Sequence, residues 1–207
     1  MASVADEITQ QMAERPLGTW VCTPRDFLGL GSRDAVDQAL SRLVKAGTLR
    51  RIGQGLYDMP RFSPRLNRPA PADMAAAVAA LARRDGVRIM PDGLAAANGL
   101  GLTNAVPAKT SYLTDGASRT LKIDDRTVRF RHGRPRIMQW AGRPAAPVIQ
   151  ALEWLGPDAA DDPHVVTTLR RRLPDEVKHD LSQNINDVPG WAVPLARSIV
   201  SDQAVVA

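Results

Sequence analysis

Apolar residues recur at helical spacing through the first quarter of the chain and alternate with polar ones in a later stretch. Val4, Ile8 and Met12 step by four, so residues 3–14 are expected to form a helix with one apolar stripe, ended by Pro16 and Gly18. Trp20-Val21-Cys22 reads as a short strand. Thr23-Pro24 then offers a capping hydroxyl and a proline at the first helical position, and Gly29 and Gly31 keep that helix short. Ser32 supplies the next N-cap. Val36, Leu40, Leu43 and Val44 follow at helical spacing until Gly47 stops the helix. Two short strands, 49–52 and 56–59, flank Gly53-Gln54-Gly55 and predict a hairpin. Helix, glycine turn, helix and basic hairpin together are the layout of a winged helix-turn-helix.

Beyond Pro60 the pattern changes. Residues 61–73 carry prolines 64, 69 and 71 and read as a stiff, extended linker. Arg61, Arg65 and Arg68 within it suit either the phosphate backbone of a nucleic acid or plain solubility. An alanine-rich helix is expected over 73–84, capped by Asp73 and ended by Gly86, then a strand over 87–90 and a short helix over 94–98. Residues 109–114 are strand-like. Residues 120–123 and 127–131 alternate around Asp124-Asp125-Arg126, which predicts a second hairpin. Helices are expected from Pro147, Pro163 and Pro174, and a last one over 191–200. The predicted architecture is α+β. A winged helix-turn-helix domain spans 1–60, the Pro/Arg-rich linker 61–73, and a mixed α/β C-terminal domain with a basic β-hairpin and a helical tail 74–207.

The helix after Ser32 carries the candidate chemistry. At about 100° per residue, Val36, Ala39, Leu40, Leu43 and Val44 share one face, and Asp34, Gln38, Ser41, Arg42 and Lys45 share the other. Glutamine pairs bidentately with adenine, and arginine with guanine or phosphate. Arg33 lies in the first turn, the end that enters the major groove in such folds. A solvated helix face with ordinary charges is the plain alternative. The hairpin tips the balance towards DNA, because Arg50, Arg51 and Gln54 sit on or beside it. The candidate DNA-binding set is therefore Arg25, Ser32, Arg33, Asp34, Asp37, Gln38, Ser41, Arg42, Lys45, Arg50, Arg51 and Gln54. Arg119, Lys122, Arg129, Arg131 and Arg134 form a candidate second basic surface, in a stretch (119–143) with eight Lys or Arg against two Asp. Residues 153–187 are the reverse, with eight acids against four bases, so the two stretches are able to attract each other.

Composition supports this reading and narrows the alternatives. The 207 residues carry a net charge of +5, which favours an anionic partner. One cysteine, Cys22, leaves no internal disulfide and no cysteine metal cluster within one chain. The first residues have no basic stretch ahead of an apolar run, and no segment is apolar for long enough to span a membrane; a cytoplasmic setting is expected. His132, His164 and His179 are scattered without metal-ligand spacing. There is no P-loop and no G-x-S-x-G elbow. Asp124-Asp125 reads as a turn, and Gly99-Leu100-Gly101-Leu102 as a helix end. The chain is thus not expected to be an enzyme, and no cofactor or metal is expected.

The run FLGLGSRDAVDQALSRLVKAGTLRRIGQGLY, followed by PDGLAAANGLGLTNAVPAKTSYLTDGASRTLKI, resembles the AbiEi-type antitoxins of bacterial toxin–antitoxin operons. The likeness covers about residues 15–140. Its more specific part is Asn98-Gly99-Leu100-Gly101-Leu102, Val106-Pro107 and Tyr112-Leu113-Thr114. The resemblance implies a two-domain transcriptional repressor whose winged helix binds inverted repeats in double-stranded DNA of its own promoter. It implies recognition positions at Ser32, Arg33, Asp34, Asp37, Gln38, Ser41 and Arg42, and a wing at 51–55. It also implies a C-terminal domain that counteracts a co-encoded nucleotidyltransferase-like toxin. The alternative is a winged-helix regulator or protein-interaction adaptor without antitoxin activity.

Overall fold

The computed structural model describes residues 2–107 and 109–201, and the fold is α+β. The chain divides into two compact units. The first runs to Val87 and takes in Thr120–Val128; the second is Arg88–Arg119 with the chain from Arg129 onward.

In the first unit, α1 (Val4–Ala13) begins at a capping box. The Ser3 hydroxyl accepts from the Asp6 N–H (3.2 Å), and the Asp6 carboxylate accepts from the Ser3 N–H (3.0 Å). The predicted stripe is buried at Ile8 and Met12. Strand β1 (Val21–Cys22) leads into Pro24–Phe27, which is a single 3₁₀ turn where the sequence predicts an α-helix. The run between Pro24 and the glycines at 29 and 31 is too short to nucleate one. Helix α2 (Arg33–Lys45) starts where Ser32 Oγ accepts from the Ala35 N–H (3.3 Å). Strands β2 (Arg50–Gly53) and β3 (Leu56–Asp58) then fold back through Gln54-Gly55, with Gly55 at φ 65°. The sheet is antiparallel in the order β1-β3-β2, with Val21–Cys22 of the expected short strand as its third member. Ile8, Met12, Cys22, Phe27, Val36, Ala39, Leu40 and Leu49 form one core.

Residues 61–73 depart from the extended linker that their prolines predict. They make a small antiparallel hairpin, β4 (Phe62–Ser63) with β5 (Arg68–Pro69), and they belong to the first unit. Local bonds are the reason. The Ala70 N–H donates to the Arg61 carbonyl (2.8 Å), and Asn67 takes the left-handed conformation (φ 48°) that asparagine tolerates in a turn. Helix α3 (Met74–Asp85) also belongs to this unit. Asp73 caps it by accepting from the Ala76 N–H (3.1 Å), and Gly86 (φ 67°) ends it.

The second unit begins with β6 (Ile89–Pro91) and α4 (Gly93–Gly99), capped by Asp92 and ended before Gly101 (φ 74°). The remaining strands are β7 (Thr110–Thr114), β8 (Arg119–Ile123) and β9 (Arg126–His132), in the sheet order β6-β7-β9-β8. The predicted basic hairpin therefore forms, but Thr120–Val128, which is β8 beyond Arg119, the turn and the start of β9, counts with the first unit. Asp124, at φ 52°, explains why: its N–H donates to the Ile52 carbonyl (2.5 Å), and its carboxylate accepts from the Ala72 N–H (3.1 Å). After β9 come α5 (Pro135–Met138), which periodicity does not announce, and α6 (Ala146–Ala160), which kinks at Gly156 (φ 75°, ψ 172°). Helices α7 (Pro163–Arg172), α8 (Asp175–Gln183) and α9 (Val193–Val200) complete the tail. Their apolar faces close on Trp140, Ile149, Leu152, Leu169, Leu181 and Ile199, a second core.

Candidate functional site

The site is built on α2. Val36, Ala39 and Leu40 are buried, and Leu43 and Val44 are half-buried against the same core. That packing leaves Asp34, Gln38, Ser41, Arg42 and Lys45 exposed together, as the helical projection predicts. Ser32 and Arg33 are exposed at the helix start. Arg33 does not float free: its Nε donates to the Asp37 carboxylate one turn on (2.8 Å), with both side chains in solvent. An exposed pair of this kind adds only about 0.3–0.5 kcal/mol to the helix. Its geometry matters more. With Nε on Asp37, the two terminal nitrogens of Arg33 remain to face a partner. That is the pair a guanine edge or a phosphate accepts.

The hairpin residues divide. Arg51 is exposed, its Nε donating to the Gly53 carbonyl (3.3 Å). The Gln54 side chain is exposed, while its carbonyl accepts from Arg84 Nη1 (2.7 Å). Arg50, expected on the DNA face, is turned inward. Its Nε and Nη2 reach the two oxygens of Asp58 (3.0 and 2.6 Å), and its Nη1 donates to the Ala70 carbonyl (3.0 Å). Asp58 is only 1% exposed and Arg50 is part-buried, so a buried carboxylate is held bidentately by a guanidinium that still meets solvent. The hydrogen bonds to Asp58 hold the Arg50 pKa above its ordinary value. Arg25 is exposed but spends one donor on the Arg84 carbonyl (2.9 Å).

Asp58 and Arg84 are structural partners that the sequence reading missed. Neither was within reach of it. Counting back from the Gln54-Gly55 turn sets Arg51 opposite Asp58, and an irregularity between Arg51 and Gly53 shifts the register by one so that Arg50 faces Asp58 instead. Arg84 comes from α3, 30 residues beyond Gln54, and no local pattern signals it.

The candidate second basic surface is not brought together in one unit. Lys122 belongs to the first unit; Arg119, Arg129, Arg131 and Arg134 belong to the second. Within the second unit Arg129 and Arg131 share the exposed side of β9, alternating with the buried Val128 and Phe130. Arg119 lies 5.7 Å from the Phe130 ring, and Arg134 is exposed just ahead of α5. Arg143 is occupied: it pairs with Asp180 (2.8 Å) and Asp187 (3.7 Å), so part of the acidic tail does meet the basic stretch.

The more specific residues of the family resemblance, Asn98–Leu102, Val106-Pro107 and Tyr112–Thr114, fall in the second unit. Asn98 donates to the Thr103 carbonyl (3.2 Å) as α4 ends, and Tyr112 stacks on Phe130 (5.7 Å between centroids). Gly93 permits a close approach, because a Cβ there would lie 2.4 Å from Trp154 Cβ and 2.8 Å from the Gln150 carbonyl. Among the described residues no three His, Cys, Asp or Glu side chains gather as a metal site would require. Nor is any helix among them long and apolar enough to cross a membrane.

In class, this is an α+β protein whose second helix presents a polar, basic face beside a short antiparallel sheet. The chain belongs to the family described as Family of unknown function (DUF6088), matched over residues 7–179. No curated protein matches it. Among solved structures it is similar to the crystal structure of RV2827C protein from Mycobacterium tuberculosis. The two are 19% identical over 95% of this chain and 76% of that one, with a TM-score of 0.42.

Proposed function

We propose that this chain is a DNA-binding antitoxin. Its first unit acts as a winged helix-turn-helix that represses its own operon, and its C-terminal part counteracts a co-encoded nucleotidyltransferase-like toxin. The observation that carries the DNA half is the exposed face of α2. It combines an amide (Gln38), a hydroxyl (Ser41), two cations (Arg42 and Lys45) and an arginine braced by Asp37. Base readout needs donors and acceptors on the exposed face of a helix narrow enough for the major groove, and this face offers them. Arg51 beside it suits a phosphate. The antitoxin half rests on the resemblance carried by Asn98–Leu102, Val106-Pro107 and Tyr112–Thr114.

A reporter driven by the DNA upstream of the gene tests the first half. Wild type should repress it, and Arg33→Ala with Gln38→Ala should release it while the protein stays folded by circular dichroism. Repression by the folded double variant would remove α2 as the reading element. Co-expression with the neighbouring toxin-like gene tests the second half, where rescue of growth is expected. Equal growth arrest with and without this chain would leave a regulator without antitoxin activity.

A further inference from the structure

The first unit carries a second hairpin that the proposed function does not use. Strands β4 and β5 pair Phe62 with Pro69 and Ser63 with Arg68. The turn between them is tight: the Leu66 N–H donates to the Ser63 carbonyl (3.1 Å), and the Asn67 N–H to the Pro64 carbonyl (3.3 Å). Arg65, Leu66 and Asn67 form the exposed tip. From Met59 to Ala72 the chain has three arginines and no acid. Yet two of its large apolar side chains stand in solvent, Phe62 at 57% and Leu66 at 47% exposed.

This hairpin is tied at its base to the element that follows α2. The Arg50 guanidinium clamps the Ala70 carbonyl at the hairpin's base while its other nitrogens sit on Asp58. Arg50 opens β2, the strand into which α2 leads. The β2–β3 turn is more constrained by its own unit, since Arg84 holds the Gln54 carbonyl and the Gly53 backbone packs close to the Lys122 carbonyl.

We infer that the β4–β5 hairpin enters the DNA minor groove next to the stretch of major groove that α2 meets, with Arg65 in the groove and Leu66 pressed against a base step. The inference rests on the DNA-binding reading above. The minor groove is only about 6 Å wide, so it admits a narrow turn but not a helix. Its negative potential, strongest where A·T runs narrow it, draws arginine. Leucine and phenylalanine are the kinds of side chain that wedge between base steps and kink the duplex. Arginine beside exposed Leu and Phe, on a turn with no acid, matches that chemistry.

The test uses the full chain, the duplex from upstream of its gene, and fluorescence anisotropy. It compares wild type, Arg65→Ala, Leu66→Ala, the Arg65→Ala/Leu66→Ala pair, and Arg33→Ala/Gln38→Ala. Every altered residue is surface-exposed, and circular dichroism checks each fold. Arg65→Ala should weaken binding roughly tenfold and lower the salt slope by about one. Leu66→Ala should reduce the bend read by end-to-end energy transfer. Netropsin, which fills the minor groove, should weaken wild type and leave the Arg65→Ala/Leu66→Ala protein unaffected. Unchanged affinity, salt slope and netropsin response in that pair, with binding lost in Arg33→Ala/Gln38→Ala, would overturn the hairpin assignment and leave the DNA reading standing. Wild type that does not prefer this duplex over a scrambled one would overturn both. Binding to phosphatidylglycerol vesicles that the hairpin pair loses, with DNA binding unchanged, would overturn the assignment in favour of an anionic lipid surface.

Discussion

Arg50 and Arg51 are neighbours of the same charge, and the fold gives them opposite work. Alternation along β2 turns Arg50 toward Asp58 and leaves Arg51 in solvent. Removing Asp58 leaves the part-buried Arg50 without its carboxylate, so Asp58→Ala should cost about 1–3 kcal/mol in a urea titration. Asp58→Leu combined with Arg50→Met should recover much of that loss, since an apolar pair of similar volume strands no charge. Cys22 gives a second residue-scale expectation. Burial, reinforced by Asp26, pushes its thiol pKa up to about 12 from 9.0. The native thiol should therefore resist a disulfide reagent at pH 8 and react only on unfolding. The sign of the pH dependence follows. Above pH 9 the unfolded thiol loses its proton while the native one keeps it, so stability should fall from pH 9 to about 12. The charge of each arginine was plain in the sequence. Which of them is spent inside the fold depends on a one-residue register shift in β2 and on α3, and neither can be counted from residues.

At the scale of elements, legibility followed the local signals. Ser32 and Asp73 each cap the helix that follows, as expected, and Gly86 ends the one before it; Ser3 and Asp92 cap α1 and α4 in the same way. Local hydrogen bonds decide those boundaries, so residue types suffice to place them. The segment 61–73 was misleading because its prolines restrict φ without choosing between an extended run and a turn. Pairing of Phe62 with Pro69 decides it. Helix α5 has only four residues, fewer than two turns of periodicity, and so carries no pattern to read. Packing predictions belong at this scale too. Leu40→Ala should destabilise by about 2–5 kcal/mol, because Leu40 is fully buried at the centre of the first core. Gly93→Ala should destabilise as well, by about 1–3 kcal/mol, since Trp154 and the Gln150 carbonyl must shift to admit the methyl group. Thermal melts of the two variants check both.

For the molecule as a whole, the α+β class was legible from the switch between helical and alternating patterns, whereas the division into units was not. The sequence suggests a boundary at the prolines. The chain instead keeps 61–87 with the first unit and adds Thr120–Val128 to it, through backbone bonds from Asp124 that no composition shift announces. The candidate α2 face was legible almost residue by residue, because a helix buried on one side must expose the other. The split of the second basic surface between units was not legible, because it depends on where the β8–β9 hairpin tip docks.

The central claim, that α2 reads a particular DNA sequence, is met most directly by a gel-shift titration. Purified protein is titrated onto the duplex just upstream of its own gene and onto a scrambled duplex, at two salt concentrations. Selective binding that survives the higher salt and is lost in Arg33→Ala/Gln38→Ala is the expected result. Equal binding to both duplexes that collapses at the higher salt would contradict it, showing only a chain of net charge +5 meeting a polyanion.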